Sequence, residues 1–145
     1  MEKVFLSSTA EDTKSLAKQF LEDQNSGGVI CLYGNLAAGK TTFSQGIGQA
    51  LGINRITSPT FIIMRQYPIL NHPVIKSLHH LDLYRLSSPE DLKAFDLEEL
   101  WSDPSNLLLI EWPEKFLGVL PKKRTDIFFK ETGSTQREIT INNYQ

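Results

Sequence analysis

The stretch that decides the fold is Val29-Ile30-Cys31-Leu32-Tyr33-Gly34-Asn35-Leu36-Ala37-Ala38-Gly39-Lys40-Thr41. Its first five residues form a continuous apolar run, the pattern of a strand buried on both faces in the middle of an α/β sheet. The next eight satisfy G-x-x-x-x-G-K-S/T. Thr41 to Leu51 then reads as a helix stopped by Gly52, with Phe43, Ile47 and Leu51 four apart on one face. A buried strand before the loop and a helix after it are the context this pattern requires. In such a loop successive backbone N–H groups converge on nucleotide phosphates, and the helix points its positive dipole end at them. Lys40 would lie along the β and γ phosphates and the Thr41 hydroxyl would ligand Mg²⁺.

Working outward, Val4-Phe5-Leu6 is a short strand candidate, and Ser8-Thr9-Ala10-Glu11 carries a hydroxyl and a carboxylate three apart, a capping-box signal. The helix that starts there places Leu16, Phe20 and Leu21 at helical spacing and stops at Gly27-Gly28. Gly46 and Gly48 weaken the helix after the loop, and close packing of that helix on the sheet is the reading they favour. Phe61 to Tyr67 and Ile75 to Leu83 look like antiparallel strands, so the sheet is expected to be mixed. Ser87-Ser88-Pro89-Glu90-Asp91 starts a helix with proline in its first turn, and Asp96 to Trp101 reads as a second short helix. Asn106 to Ile110 is a second buried strand. Thr125 to Lys130 and Arg137 to Asn142 alternate as a terminal hairpin.

A magnesium-nucleotide site also needs a carboxylate at the carboxyl end of a neighbouring buried strand, because a hard cation seeks anionic oxygen. Leu107-Leu108-Leu109-Ile110-Glu111 offers Glu111 there, against the plain alternative of a surface glutamate at a strand end. In His80-Leu81-Asp82-Leu83-Tyr84-Arg85, alternation puts His80, Asp82 and Tyr84 on one face. Asp82 could orient an attacking water or hold a metal-bound one, with Arg85 as a phosphate or carboxylate partner. Alternatively Asp82 and Arg85 pair on a solvated edge. His79 and His80 face opposite ways and cannot jointly chelate a metal.

Composition bounds these readings. With 145 residues and 40% hydrophobic content, the chain is expected to fold as one domain over residues 1–145. Fifteen basic against seventeen acidic side chains give a net charge of −2, so no global positive field holds a polyanion. Lys122-Lys123-Arg124 is too small a patch to neutralise many nucleic-acid phosphates. The single cysteine, Cys31, excludes an internal disulfide and a multi-thiolate zinc site. The absence of a leader-like or spanning apolar run points to a soluble, cytoplasmic protein without a membrane association.

Taken together, Gly34 to Thr41, Thr57-Ser58-Pro59-Thr60-Phe61, His80-Leu81-Asp82-Leu83-Tyr84-Arg85 and Ile110-Glu111-Trp112-Pro113-Glu114 resemble, in order and spacing, the bacterial TsaE (YjeE) family. These are small P-loop ATPases of tRNA threonylcarbamoyladenosine (t6A) biosynthesis. The resemblance runs from the first helix to the last hairpin. It implies ATP and Mg²⁺ as cofactors, an ATPase that is weak alone, and action with TsaB and TsaD, with tRNA met only through that complex. It also implies Lys40 as the phosphate lysine, Thr41 and Glu111 as metal ligands, and Asp82 as an acidic residue of the nucleotide site. Lys40, Asp82 and Glu111 are thus the catalytic candidates. Gly34, Asn35, Ala37, Ala38, Gly39, Lys40, Thr41, Thr42 and Arg137 are the nucleotide-binding ones. Thr57 to Phe61 would act as a switch-like loop by the γ-phosphate, and Ser8 to Ala10 would pass the adenine.

Asn35 and Ala37 depart from the family's usual G-D-L-G-A-G-K-T. Asn35 removes a charge. If position 37 needs a positive φ, alanine there costs of order 1 kcal/mol relative to glycine. The minimal pattern stays intact, so ATP binding is expected to be retained, with the effect of Asn35 and Ala37 on turnover left open by the sequence. Two alternatives share the loop, a small-molecule kinase and a nucleotide-gated switch that does not hydrolyse. The expected architecture is a three-layer α/β P-loop NTPase domain, its mixed sheet flanked by helices, with nucleotide across the carboxyl ends of the buried strands.

Overall fold

The computed structural model describes residues 2–24, 26–35, 38–57, 59 and 62–144. Seven strands form one sheet: β1 (Glu2–Ser7), β2 (Gly28–Tyr33), β3 (Met64–Pro68), β4 (Ser77–Asp82), β5 (Asn106–Glu111), β6 (Arg124–Glu131) and β7 (Arg137–Tyr144). Their spatial order is β1-β7-β6-β2-β5-β4-β3. The inner four, β6, β2, β5 and β4, run parallel, while β3, β7 and β1 pair antiparallel with their neighbours. The sheet is therefore mixed, as the β3-β4 hairpin requires.

Alternation along the strands builds two cores. Ile30, Leu32, Leu107, Leu109, Ile127 and Phe129 face one side, where they meet Ala17 and Leu21 of α1 (Ala10–Glu22) and Phe43 and Ile47 of α2 (Lys40–Ala50). Val29, Cys31, Tyr33, Leu108 and Ile110 face the other side, where Leu92, Phe116 and Leu97 of α3 (Leu97–Ser102) cover them. Helical layers thus lie on both faces of the sheet, the three-layer arrangement that parallel strands demand. Cys31 is one of these core residues, and burial pushes its thiol up to about 12, with help from Asp126.

Local details correct the sequence reading in five places. The α1 cap is Thr9, whose side chain accepts from Asp12 N at 3.1 Å, and the Asp12 carboxylate accepts from Ser8 N at 3.0 Å. The N-cap is therefore Thr9, one residue on from the Ser8 and Glu11 box expected, and the Asp12 carboxylate takes Ser8 N rather than the Thr9 N that a full box would use. The segment after Pro89 is a 3₁₀ helix, Pro89–Phe95, rather than an α-helix; its Ser88/Asp91 capping box holds only a short turn before Asp96 enters the left-handed region at φ 48°. β3 begins at Met64, three residues later than expected, since Ile63 takes φ 71° and breaks the extended run; Phe61 lies outside the described residues. Gly46 makes room for α1, not for the sheet: a Cβ there would stand 2.8 Å from the Ala17 Cβ and 2.9 Å from the Lys14 Cα. Gly48 makes room for the Ile56 side chain.

Candidate functional site

The parallel strands β2, β5 and β4 end side by side, and the segments leaving those ends form the site. β2 leads into the loop before α2. Gly34 takes φ 147°, and a Cβ on it would lie 2.8 Å from the Phe129 carbonyl of β6, so both the angle and the space require glycine. Gly39 caps α2 in the left-handed region at φ 110°, with no side chain bonding the helix N-terminus. The first-turn N–H groups of α2 therefore have no capping oxygen from this residue, which suits them to an anion. Ala38 is buried and its N–H donates to the Asn35 carbonyl at 3.0 Å, while Asn35 itself is exposed. Ala37, and with it any strain at that position, lies outside the described residues, as do Ser58, Thr60 and Phe61 of the switch-like loop.

Lys40 opens α2 but its side chain is buried, 2% exposed, and Nζ has no hydrogen-bond partner among the described residues. A buried ammonium left in that state is a donor waiting for an anion. Burial holds the Lys40 pKa below the ordinary lysine value, against the opposing pull of Glu111, Glu114 and Asp82. The ammonium sits 3.7 Å from the centre of the Trp112 ring.

At the ends of β5 and β4, Glu111 and Asp82 are register partners and each is 6% exposed. Glu111 is thus no surface glutamate, and Asp82 is on no solvated edge, since β3 lies outside β4. The Glu111 carboxylate bonds His80 Nε2 at 2.7 Å, and Asp82 accepts from Tyr84 N at 3.0 Å. Asp82 N donates to the Ile63 carbonyl at 2.8 Å, tying this strand end to the segment that leaves the switch-like loop. Arg85 is exposed beyond the strand end.

On the other side of the loop, a cavity of about 470 Å³ takes in Gly39, Thr41 and Thr42, the α1 entry Ser8 to Ala10, and the hairpin residues Ser134, Thr135 and Arg137. The Arg137 guanidinium is held over this cavity by the Gln136 carbonyl at 2.9 Å and Glu131 at 3.5 Å. A larger cavity of about 760 Å³, between α1 and the β1/β7 edge, shares no lining residue with the loop, and Lys3 and Asp23 are its charged lining residues. Size does not locate the chemistry here.

The family described as threonylcarbamoyl adenosine biosynthesis protein TsaE matches residues 7–139, a span that includes every element of this site. The chain belongs to the TsaE family. Curated TsaE proteins of Bacillus subtilis and Treponema pallidum are 40% and 36% identical to it, over 90% and 94% of this chain and 79% and 97% of theirs. The crystal structure of Bacillus subtilis YdiB superposes with a TM-score of 0.80 at 30% identity, covering the whole of this chain and 87% of that one. The family is thus that of tRNA threonylcarbamoyladenosine biosynthesis.

Of the residues to which the TsaE pattern points, the structure gathers Lys40, Asp82 and Glu111 on one side of the loop. Gly39, Thr41, Thr42 and Arg137 line the cavity on the other. Sequence reasoning names His80 and Trp112 only within their motifs, with no role for either, and does not reach Ser134 and Thr135. His80 shares its strand face with Asp82, a signal that the alternation carries; the pairing of Trp112 with Lys40, 72 positions apart, leaves no such signal. Among the described residues no group of three or more His, Cys, Asp or Glu side chains could hold a metal alone. Glu111 offers the buried anionic oxygen that a hard cation such as Mg²⁺ seeks, while Thr41 lines the cavity on the other side of the loop.

Proposed function

We propose that this TsaE-family chain binds ATP with Mg²⁺ and hydrolyses it in support of t6A modification of tRNA, acting with TsaB and TsaD and meeting tRNA only through them. The observation that carries this reading is the buried Lys40 ammonium, without a hydrogen-bond partner among the described residues, at the mouth of a phosphate loop flanked by two buried carboxylates. The loop N–H groups and α2 hold the phosphates, and Lys40 neutralises charge on the β and γ oxygens. Thr41 and Glu111 would hold Mg²⁺, which would supply further charge neutralisation when bound. His80 keeps the Glu111 carboxylate turned to its task. Asp82 orients the water whose oxygen bonds the γ-phosphorus as the bond to the bridging oxygen breaks, giving ADP and inorganic phosphate; the water's proton leaves through Asp82 or the departing phosphate. Arg137, Ser134 and Thr135 close over the nucleoside end of the cavity. We take the chain as a single domain working in the cytoplasm; no helix among the described residues is long and apolar enough to cross a membrane.

The test is ATP turnover by the purified chain, alone and with TsaB and TsaD, with Lys40→Ala as the blank. Turnover that rises with the partners and drops by about 10²- to 10³-fold in the blank is expected. Equal background from both proteins would overturn the ATPase reading, and ADP formed only when a metabolite is added would favour a kinase.

A further inference from the structure

Lys40 is the cation of the site, yet among the described residues no carboxylate bonds it. Its partner is the Trp112 ring face, 3.7 Å away. An aromatic face stabilises an ammonium without accepting a conventional hydrogen bond from it. A carboxylate in the same place would have to be displaced before a phosphate could bind.

Trp112 is also held where it is at some cost. It takes φ 59°, a conformation that non-glycine residues rarely adopt, and it precedes Pro113, which restricts it further. Such an outlier persists only where the surroundings over-determine it. Here β5 has just ended at Glu111, whose carbonyl accepts from Leu83 N at 3.0 Å, and the exposed Tyr84 ring packs against the indole with centres 5.0 Å apart. The left-handed turn lets Glu111 and Trp112 serve the same site from consecutive positions: one carboxylate bonded to His80, one ring under the ammonium.

We propose that Trp112 is a positioning residue for Lys40: its ring face holds the buried ammonium at the loop mouth, with its N–H groups kept for the β and γ phosphates. This deepens the ATP reading above and rests on it. Replacing the ring by an aliphatic side chain removes the charge stabilisation but leaves the burial.

The experiment is calorimetric affinity for ATP and for AMP, which lacks both phosphates that Lys40 would reach, in the parent, Trp112→Phe and Trp112→Leu. Expected is an ATP affinity about 5- to 30-fold weaker in Trp112→Leu, AMP affinity within about twofold of the parent, and ATP binding largely kept by Trp112→Phe. Should thermal melting show Trp112→Leu unfolded, Trp112→Met takes its place with the same expectation. Equal losses for ATP and AMP would overturn the inference by making Trp112 a general scaffold. Unchanged or tighter ATP binding in the ringless variant would overturn it too, as would a Phe variant as weak as the Leu one. A parent chain that binds no ATP overturns the underlying reading and the inference together, which separates that failure from the others.

Discussion

The two sides of the phosphate loop are built differently. On the strand side, His80, Asp82, Glu111 and Lys40 are each no more than 6% exposed, and the carboxylates are held by a 2.7 Å bond from His80 and a 3.0 Å bond from the Tyr84 backbone. On the hairpin side, the cavity is lined mostly by hydroxyls and one arginine; the Ser134 and Thr135 turn is exposed, and the Arg137 side chain, 17% exposed, is more open to solvent than the four strand-side groups. A buried, bonded group cannot relax when its partner is changed, whereas an exposed one can be replaced by water. Substitutions on the strand side should therefore act on turnover and stability together, and those on the hairpin side on affinity alone.

Glu111→Gln tests the first half most strongly. It keeps the shape but removes the charge that would hold the metal and that pairs with His80. We expect turnover to fall by about 10²-fold and stability by about 1–3 kcal/mol, read by phosphate release and denaturant unfolding. A variant that turns over normally would break the comparison. Arg137→Ala, on the hairpin side, should weaken ATP binding by about fivefold while turnover at saturating ATP stays close to the parent, because solvent takes over part of what a partly accessible guanidinium does. A collapse of turnover at saturation would place Arg137 among the groups that act in the transition state. The smallest effect is at the α1 entry: Thr9→Ala removes the cap accepted from Asp12 N, and should cost about 1 kcal/mol on melting. ATP affinity should move little, since the exposed Thr9 side chain is taken up by the helix cap.

Much of the fold is legible in the sequence because its signals are local. The apolar run of Val29 to Tyr33, the helix that follows Gly39 and the terminal hairpin all appear where their residues predict them. So does the acidic end of Leu107 to Glu111. The errors are local competitions that one window cannot resolve: which of two adjacent hydroxyls caps α1, and whether the turn after Pro89 tightens to 3₁₀ geometry. Glycine roles escape the sequence for a different reason. Gly46 faces α1, which lies 24 to 36 positions earlier in the chain, and no period in the sequence encodes which neighbour a bare Cα will meet.

By itself, then, the sequence determined the strand-loop-helix unit, the candidate lysine, threonine and carboxylates, and membership in a family. Each depends on residue types at fixed short spacing, which backbone geometry turns directly into structure. Only the tertiary structure decided that β6 lies parallel beside β2, bringing the Arg137 hairpin to the loop, and that His80 meets Glu111. It alone decided that the Lys40 ammonium rests on Trp112. Those contacts join residues dozens of positions apart, and their partners are chosen by how the sheet is ordered and packed rather than by any preference of the residues themselves.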